Sequence, residues 1–199
     1  MKSPIIFNKL KSLLKKTSFT TREAKELGIS SELLSYYVKT KQLIRLGRGI
    51  YQSIDYRNPS NNFELAELIQ AVKTVPNGII CLISALSIYN LTDEIPRKIW
   101  IVVSHNRSIK RDKFIKIVRF RDIKTGRTEV ELDGIIIPIF DRERTIIDAF
   151  RLLSYEIAIK ALKMAFSQKS DQCINFNKLQ KYAKKLKVNI TPYLMTVTT

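Results

Sequence analysis

The stretch "FTTREAKELGISSELLSYYVKTKQLIRLGRGIYQSI", residues 19–54, constrains the fold more than any other. Thr20 and Glu23 stand at capping-box spacing and predict a helix that begins at Thr21. Ala24 and Leu27 face inward, and Gly28 suits the left-handed position that ends a helix. Ile29 turns back to the core, and Ser30-Ser31 offers a second N-cap. The next helix runs to about Lys41 with Leu33, Leu34, Tyr37 and Val38 as its apolar stripe. Helix, glycine turn, helix is a helix-turn-helix arrangement. Upstream, Phe7, Leu10, Leu13 and Leu14 have helical spacing and supply a third packing helix. Downstream, Leu43, Ile44 and Leu46, then Ile50, Tyr51 and Ile54, form two β-prone runs joined at Gly47-Arg48-Gly49, which is a wing. Residues 1–56 therefore read as a winged helix-turn-helix domain.

Charge says what such a unit meets. The 199 residues carry a formal charge of +17 with 45% apolar residues, so the chain can bury a core and attracts polyanions. Residues 1–56 hold 11 basic and 4 acidic side chains, which favours DNA over a protein-docking role. A recognition helix presents its outward residues to base edges and phosphates. Ser31, Ser35, Tyr36 and Lys39 are those residues here, and Arg45 and Arg48 on the wing are placed for the backbone or minor groove. Glu32 shares that face; it repels phosphate but can accept a bond from cytosine.

Other classes are narrowed. No apolar run approaches the ~20 residues of a spanning helix, and the N-terminal "MKSPIIFNKLKSLLKK" has too short an apolar core for a signal peptide. Cys81 and Cys173 form no CxxC pair and are expected as buried thiols in a reducing cytoplasm. With His105 the single histidine, no His-rich metal site exists, and no metal or cofactor is expected.

"DYRNPSNN", residues 55–62, reads as a linker with Asn58, Pro59, Asn61 and Asn62. Residues 57–199 form a separate α+β domain. A helix over 63–75 stops at Pro76-Asn77-Gly78, and "IICLISALSIYNL" reads as a mostly buried helix. Strands follow at 98–104 and 114–120, with a hairpin at 128–140 around Asp133-Gly134. Helices then cover 141–153, 155–167 and 176–187. Residues 97–127 carry 11 basic side chains against Asp112 and Asp122, and residues 160–187 carry 8 lysines against Asp171. The lysine-rich tail reads as a solvated face, and Trp100, Phe114 and Phe120 read as core. Arg107, Lys110, Arg111 and Lys113 lie between two strands, where a nucleic acid or an acidic partner can reach them.

Catalytic chemistry finds little footing. Asp133, Asp141, Glu143 and Asp148 form the acidic cluster, without the Glu-x-Lys of a metal-dependent nuclease. Asp133 suits its turn, Asp141 suits a helix cap, and Asp148 can pair with Arg144 or Arg151. There is no phosphate-cradling glycine loop and no nucleophile set around His105. The alternatives to a DNA-binding protein are a nuclease built on Asp133 and Glu143, or a docking adaptor.

The order of the segments carries a resemblance. A winged helix is followed by "SALSIYNLTDEIPRKIWIVVS", a basic stretch, "VRFRD", "VELDGIIIPIFDRERTIIDAFR" and a lysine-rich helical end. This resembles the AbiEi antitoxin family over nearly the whole chain, with "RTIIDAFR" (144–151) its most specific piece. Tyr89-Asn90-Leu91 stands where that family has a His-Gly-Leu pattern, which removes any histidine-dependent role there. The resemblance implies a type IV toxin–antitoxin system that protects against phage. It implies a winged helix that represses its own operon at inverted repeats in double-stranded DNA. It implies a C-terminal domain that counteracts a nucleotidyltransferase-like, AbiEii-like toxin without a stable complex. From the residues themselves, with no catalytic set in place, no enzyme activity is expected.

Overall fold

The computed structural model describes residues 10–16, 18–56, 63–109, 112–132, 135–168 and 173–195. The chain divides into two compact units, Met1–Pro76 and Asn77–Thr199. The fold is α+β, with a winged helix-turn-helix followed by a separate sheet-containing region.

In the first unit, helix α1 (10–14) buries Leu10 and Leu13. Strand β1 (Phe19–Thr20) leads into helix α2 (Thr21–Glu26). The capping box forms as expected: Thr20 Oγ1 accepts from the Glu23 amide at 3.2 Å, and Glu23 Oε2 accepts from the Thr20 amide at 2.7 Å. Gly28 has φ +76°, the left-handed conformation that turns the chain into α3 (Ser31–Lys39). Ser30 caps α3 by accepting from the Leu33 amide at 3.3 Å. Strands β2 (Leu43–Gly47) and β3 (Ile50–Ser53) pair antiparallel, and β1 adds to the far side of β3. Phe19, Ala24, Ile29, Leu33, Leu34, Tyr37, Leu43 and Tyr51 close one core with α1. Phe7 and the linker asparagines and proline, 58–62, lie outside the described residues.

Helix α4 (Phe63–Thr74) also belongs to this unit. The sequence alone groups it with the second domain. Its polar side chains explain the difference: Gln70 Nε2 donates to the Leu46 carbonyl at 3.3 Å, and Lys73 Nζ donates to the Ser18 carbonyl.

The second unit is built on a five-stranded mixed sheet in the order β6-β5-β4-β8-β7. Its strands are β4 (Ile79–Ile80), β5 (Ile99–Ser104), β6 (Ile115–Phe120), β7 (Arg127–Leu132) and β8 (Ile135–Phe140). β5 and β6 run parallel, as do β4 and β8, while β4–β5 and β7–β8 are antiparallel. Asp133 and Gly134 of the expected hairpin turn lie outside the described residues. The central strand β4 corrects the reading of 79–91 as all helix. A short apolar run has no periodicity that separates strand from helix, and here Ile79 and Ile80 pair before α5 (Leu82–Ile88) begins.

Helices α6 (Arg142–Leu152), α7 (Tyr155–Ser167), α8 (Phe176–Lys185) and α9 (Thr191–Met195) share an apolar cluster that includes Leu86, Ile146, Ile147, Phe150, Leu162 and Leu179. Asp141 caps α6, accepting from the Arg144 amide at 2.8 Å. Cys81 is buried as expected, but Cys173 is exposed, because it precedes α8 instead of packing within it.

Candidate nucleic-acid interface

The outward face of α3 follows from the stripe behind it. Leu33, Leu34 and Tyr37 are buried on α3, so residues on the opposite side of the helical repeat point outward. Ser35, Tyr36 and Lys39 are exposed and Ser31 is half-buried. Ser35 Oγ donates to the Ser31 carbonyl at 3.0 Å, and Ser31 Oγ donates to Glu32 at 3.2 Å. Both hydroxyl protons are thus engaged locally, and what the two serines offer a ligand is acceptor lone pairs. Tyr36 stands 48% exposed, braced edge-on by Tyr37 with ring centroids 5.8 Å apart. The carboxyl of Glu32 is held below its ordinary range, chiefly by the Ser30 hydroxyl and then by its own amide and Ser31. It sits in the first turn of α3, where the helix dipole favours an anion.

The wing is tied to the helices. Gly49 has φ +73°, and its carbonyl accepts from the Thr21 amide at 2.8 Å and the Thr21 hydroxyl at 3.2 Å. Arg48 is exposed at this turn. Arg45 is exposed on β2 and donates through Nε to the Gly47 carbonyl at 3.2 Å, across a register shift in the ladder. All six residues expected at a DNA interface therefore fall within one compact unit, five of them exposed.

The basic segment of the second unit is more mixed. Arg107 is half-buried after β5, and its amide donates to the Ser104 carbonyl at 3.0 Å. Lys113 is exposed with its Nζ 5.0 Å from the Phe114 ring centroid. Lys110 and Arg111 lie outside the described residues. Of the three aromatics expected as core, Phe120 is buried, Trp100 is half-buried and Phe114 is 57% exposed. Phe114 precedes β6 at the outer edge of the sheet, where no further strand among the described residues covers it.

Other charges of this unit turn inward. Arg144 and Asp148 have no side-chain exposure and meet at 2.7 Å, and Arg151 reaches the other Asp148 oxygen at 2.5 Å. Both pairings open to Asp148 are realised. Burial pushes the Asp148 carboxyl up, and the two guanidiniums oppose that shift. The remaining Arg144 nitrogens donate to the carbonyls of Thr125 (3.0 Å) and Asp122 (3.1 Å), so "RTIIDAFR" fastens the β6–β7 connection. The tail is not wholly a solvated face. Lys178 pairs with Asp141 (3.0 Å) and Glu143 (3.2 Å), Tyr182 donates to Asp141 at 3.0 Å, and Lys185 donates to Thr125 Oγ1 at 2.5 Å. Positions 178, 182 and 185 lie on one side of α8, and Leu179 and Ala183 are buried on the other. These contacts span long sequence separations and carry no local signal. Tyr89 donates to the Phe140 carbonyl at 2.9 Å, which anchors the end of α5 to β8.

Glu143 is likewise engaged, accepting from the Asn175 amide at 2.7 Å. Among the described residues no three His, Cys, Asp or Glu side chains gather to hold a metal, and no helix is long and apolar enough to cross a membrane.

No curated protein matches the chain by sequence. Residues 8–54, which hold the capped helix pair and the wing, match the family described as transcriptional regulator, AbiEi antitoxin.

Proposed function

We propose that the chain is the antitoxin of a type IV toxin–antitoxin system, active against phage, and the repressor of its own operon. The carrying observation is the exposed row Ser35, Tyr36 and Lys39 on a capped recognition helix, in the same unit as Arg45 and Arg48 of the wing. Lys39 and the wing arginines contact phosphates; Ser31, Ser35 and Tyr36 read base edges at inverted repeats in the promoter. The family match over residues 8–54 supports this reading. The second unit counteracts a nucleotidyltransferase-like toxin in the cytoplasm, without a stable complex and without catalysis of its own. Arg107, Lys110, Arg111 and Lys113 are its candidate contacts.

The full chain should retard its own promoter fragment, with affinity falling steeply as salt rises. Ser35→Ala or Tyr36→Ala should alter operator preference more than non-specific affinity. Replacing Arg107, Lys110, Arg111 and Lys113 with Ser should abolish rescue from the toxin and leave promoter retardation intact. Equal affinity for promoter and scrambled duplex would refute the repressor reading, and full rescue by the quadruple variant would refute the loop assignment. The nuclease reading is weakened at Glu143, whose two oxygens already meet the Asn175 amide and Lys178.

A further inference from the structure

The pair β5–β6 presents a face that the repressor reading does not use. In the ladder Trp100 lies opposite Lys116 and Ile99 opposite Ile115, and the Ile99 amide donates to the Phe114 carbonyl at 2.9 Å. Strand alternation then sets Lys98, Trp100, Phe114 and Lys116 on one face. Further along the strands that face becomes core, through Val102, Val118 and Phe120. Toward its start it is open: Lys98 and Lys116 are exposed and Phe114 is 57% exposed. Trp100 straddles the boundary, half-buried against the core cluster, with its amide donating to Ser84 Oγ at 2.9 Å. Lys116 Nζ lies 3.6 Å from the Trp100 ring centroid, and Lys113 Nζ 5.0 Å from that of Phe114.

We infer that this face, two aromatic rings each carrying a lysine ammonium, is a binding site for single-stranded nucleic acid. Unpaired bases have π-faces that stack on aromatic side chains, and the backbone that links them supplies the phosphates that lysines hold. An apolar partner would not suit the cations, and an acidic peptide would leave the rings unused. A duplex keeps its bases stacked on one another. Asp112 is the one carboxylate between Arg97 and Arg121, and it is turned to the backbone, accepting from the Phe114 amide at 2.8 Å. On binding, the Lys116 ammonium moves from the indole face to a phosphate and a base takes its place. The site is distinct from α3 and the wing and does not depend on promoter recognition.

Trp100 is the chain's single tryptophan, so its emission reports on this face alone. The experiment titrates twelve-residue oligo(U) and oligo(dT) into the full chain while indole fluorescence is followed. Saturable quenching is expected, weakening as salt rises. Phe114→Ala and Lys116→Gln should each weaken it roughly tenfold, with far-UV circular dichroism unchanged because both side chains are exposed. Lys39→Ala with Arg48→Ala should leave the quenching as it is. Stronger quenching by oligo(U) would mark RNA as the preferred strand, and by oligo(dT) DNA. Absence of quenching at low salt, equal quenching by a twelve-base-pair duplex, or full quenching in the Phe114→Ala, Lys116→Gln double variant would overturn the site. The lysines would then serve only to guard an exposed sheet edge against strand addition.

Discussion

Cations are used in opposite ways on α3 with its wing and on α6 with α8. On α3, Lys39 stands exposed on the side away from a buried Leu33–Leu34–Tyr37 stripe, and Arg48 stands exposed at a turn. On α6 and α8, Arg144 is wholly buried and Lys178 and Lys185 meet Asp141, Glu143, Asp122 and Thr125. The first arrangement leaves charge for a ligand, and the second engages it with partners in the fold, wholly buried at Arg144 and still 56% exposed at Lys185. Net charge does not separate the two. What separates them is whether a carboxylate is brought within reach by the fold.

The inward set should be the costlier to disturb. Asp148→Ala leaves the Arg144 guanidinium buried without its carboxylate, and should cost about 3–5 kcal/mol in urea unfolding. A loss below about 1 kcal/mol would mean that the pair is not a structural centre. Gly126→Ala comes next. Gly126 has φ +70°, and an added Cβ would lie 2.5 Å from Arg144 Cβ. It should cost about 2 kcal/mol, and unchanged stability would show that the Arg144 side chain is not held where the structure places it.

In the first unit the largest local contribution tested is the capping box. Thr20→Ala should cost about 1 kcal/mol. Burial pushes the Glu23 carboxyl up, but Lys16 and the amide and hydroxyl of Thr20 outweigh it, leaving the pKa below its ordinary 4.5. Its contribution is therefore complete above that value and lost as pH falls through the depressed pKa. Thr20→Ala should narrow the stability gap between pH 6 and pH 3, which thermal unfolding at the two values measures. An unchanged gap would contradict the box.

The elements legible in the sequence were those written in local spacing. Thr20 with Glu23, Gly28, Asp141 with the amide of Arg144, and Asp148 with Arg144 all act within a few residues. Strand β4 was not legible, since Ile79 and Ile80 reveal their state only by pairing with Val102, Ile101 and Ile139. Nor was the engagement of Lys178, whose partners lie two helices back at the start of α6, nor the exposure of Phe114, which depends on β6 being an edge strand. At the candidate interface, the outward set on α3 was legible because a helical stripe dictates its own opposite face. The local bonds of Ser31 and Ser35 were not, because side-chain rotamers decide them.

The most direct test compares the salt dependence of promoter binding in two double variants of the full chain. Each phosphate contact contributes about 0.9 to the slope of log affinity against log salt. Lys39→Ala with Arg48→Ala should make that slope shallower by about 2, while Lys178→Gln with Lys185→Gln should leave it unchanged. A slope that is unaltered in the first variant, or reduced in the second, would contradict the division between charge left for a ligand and charge engaged by carboxylates of the fold.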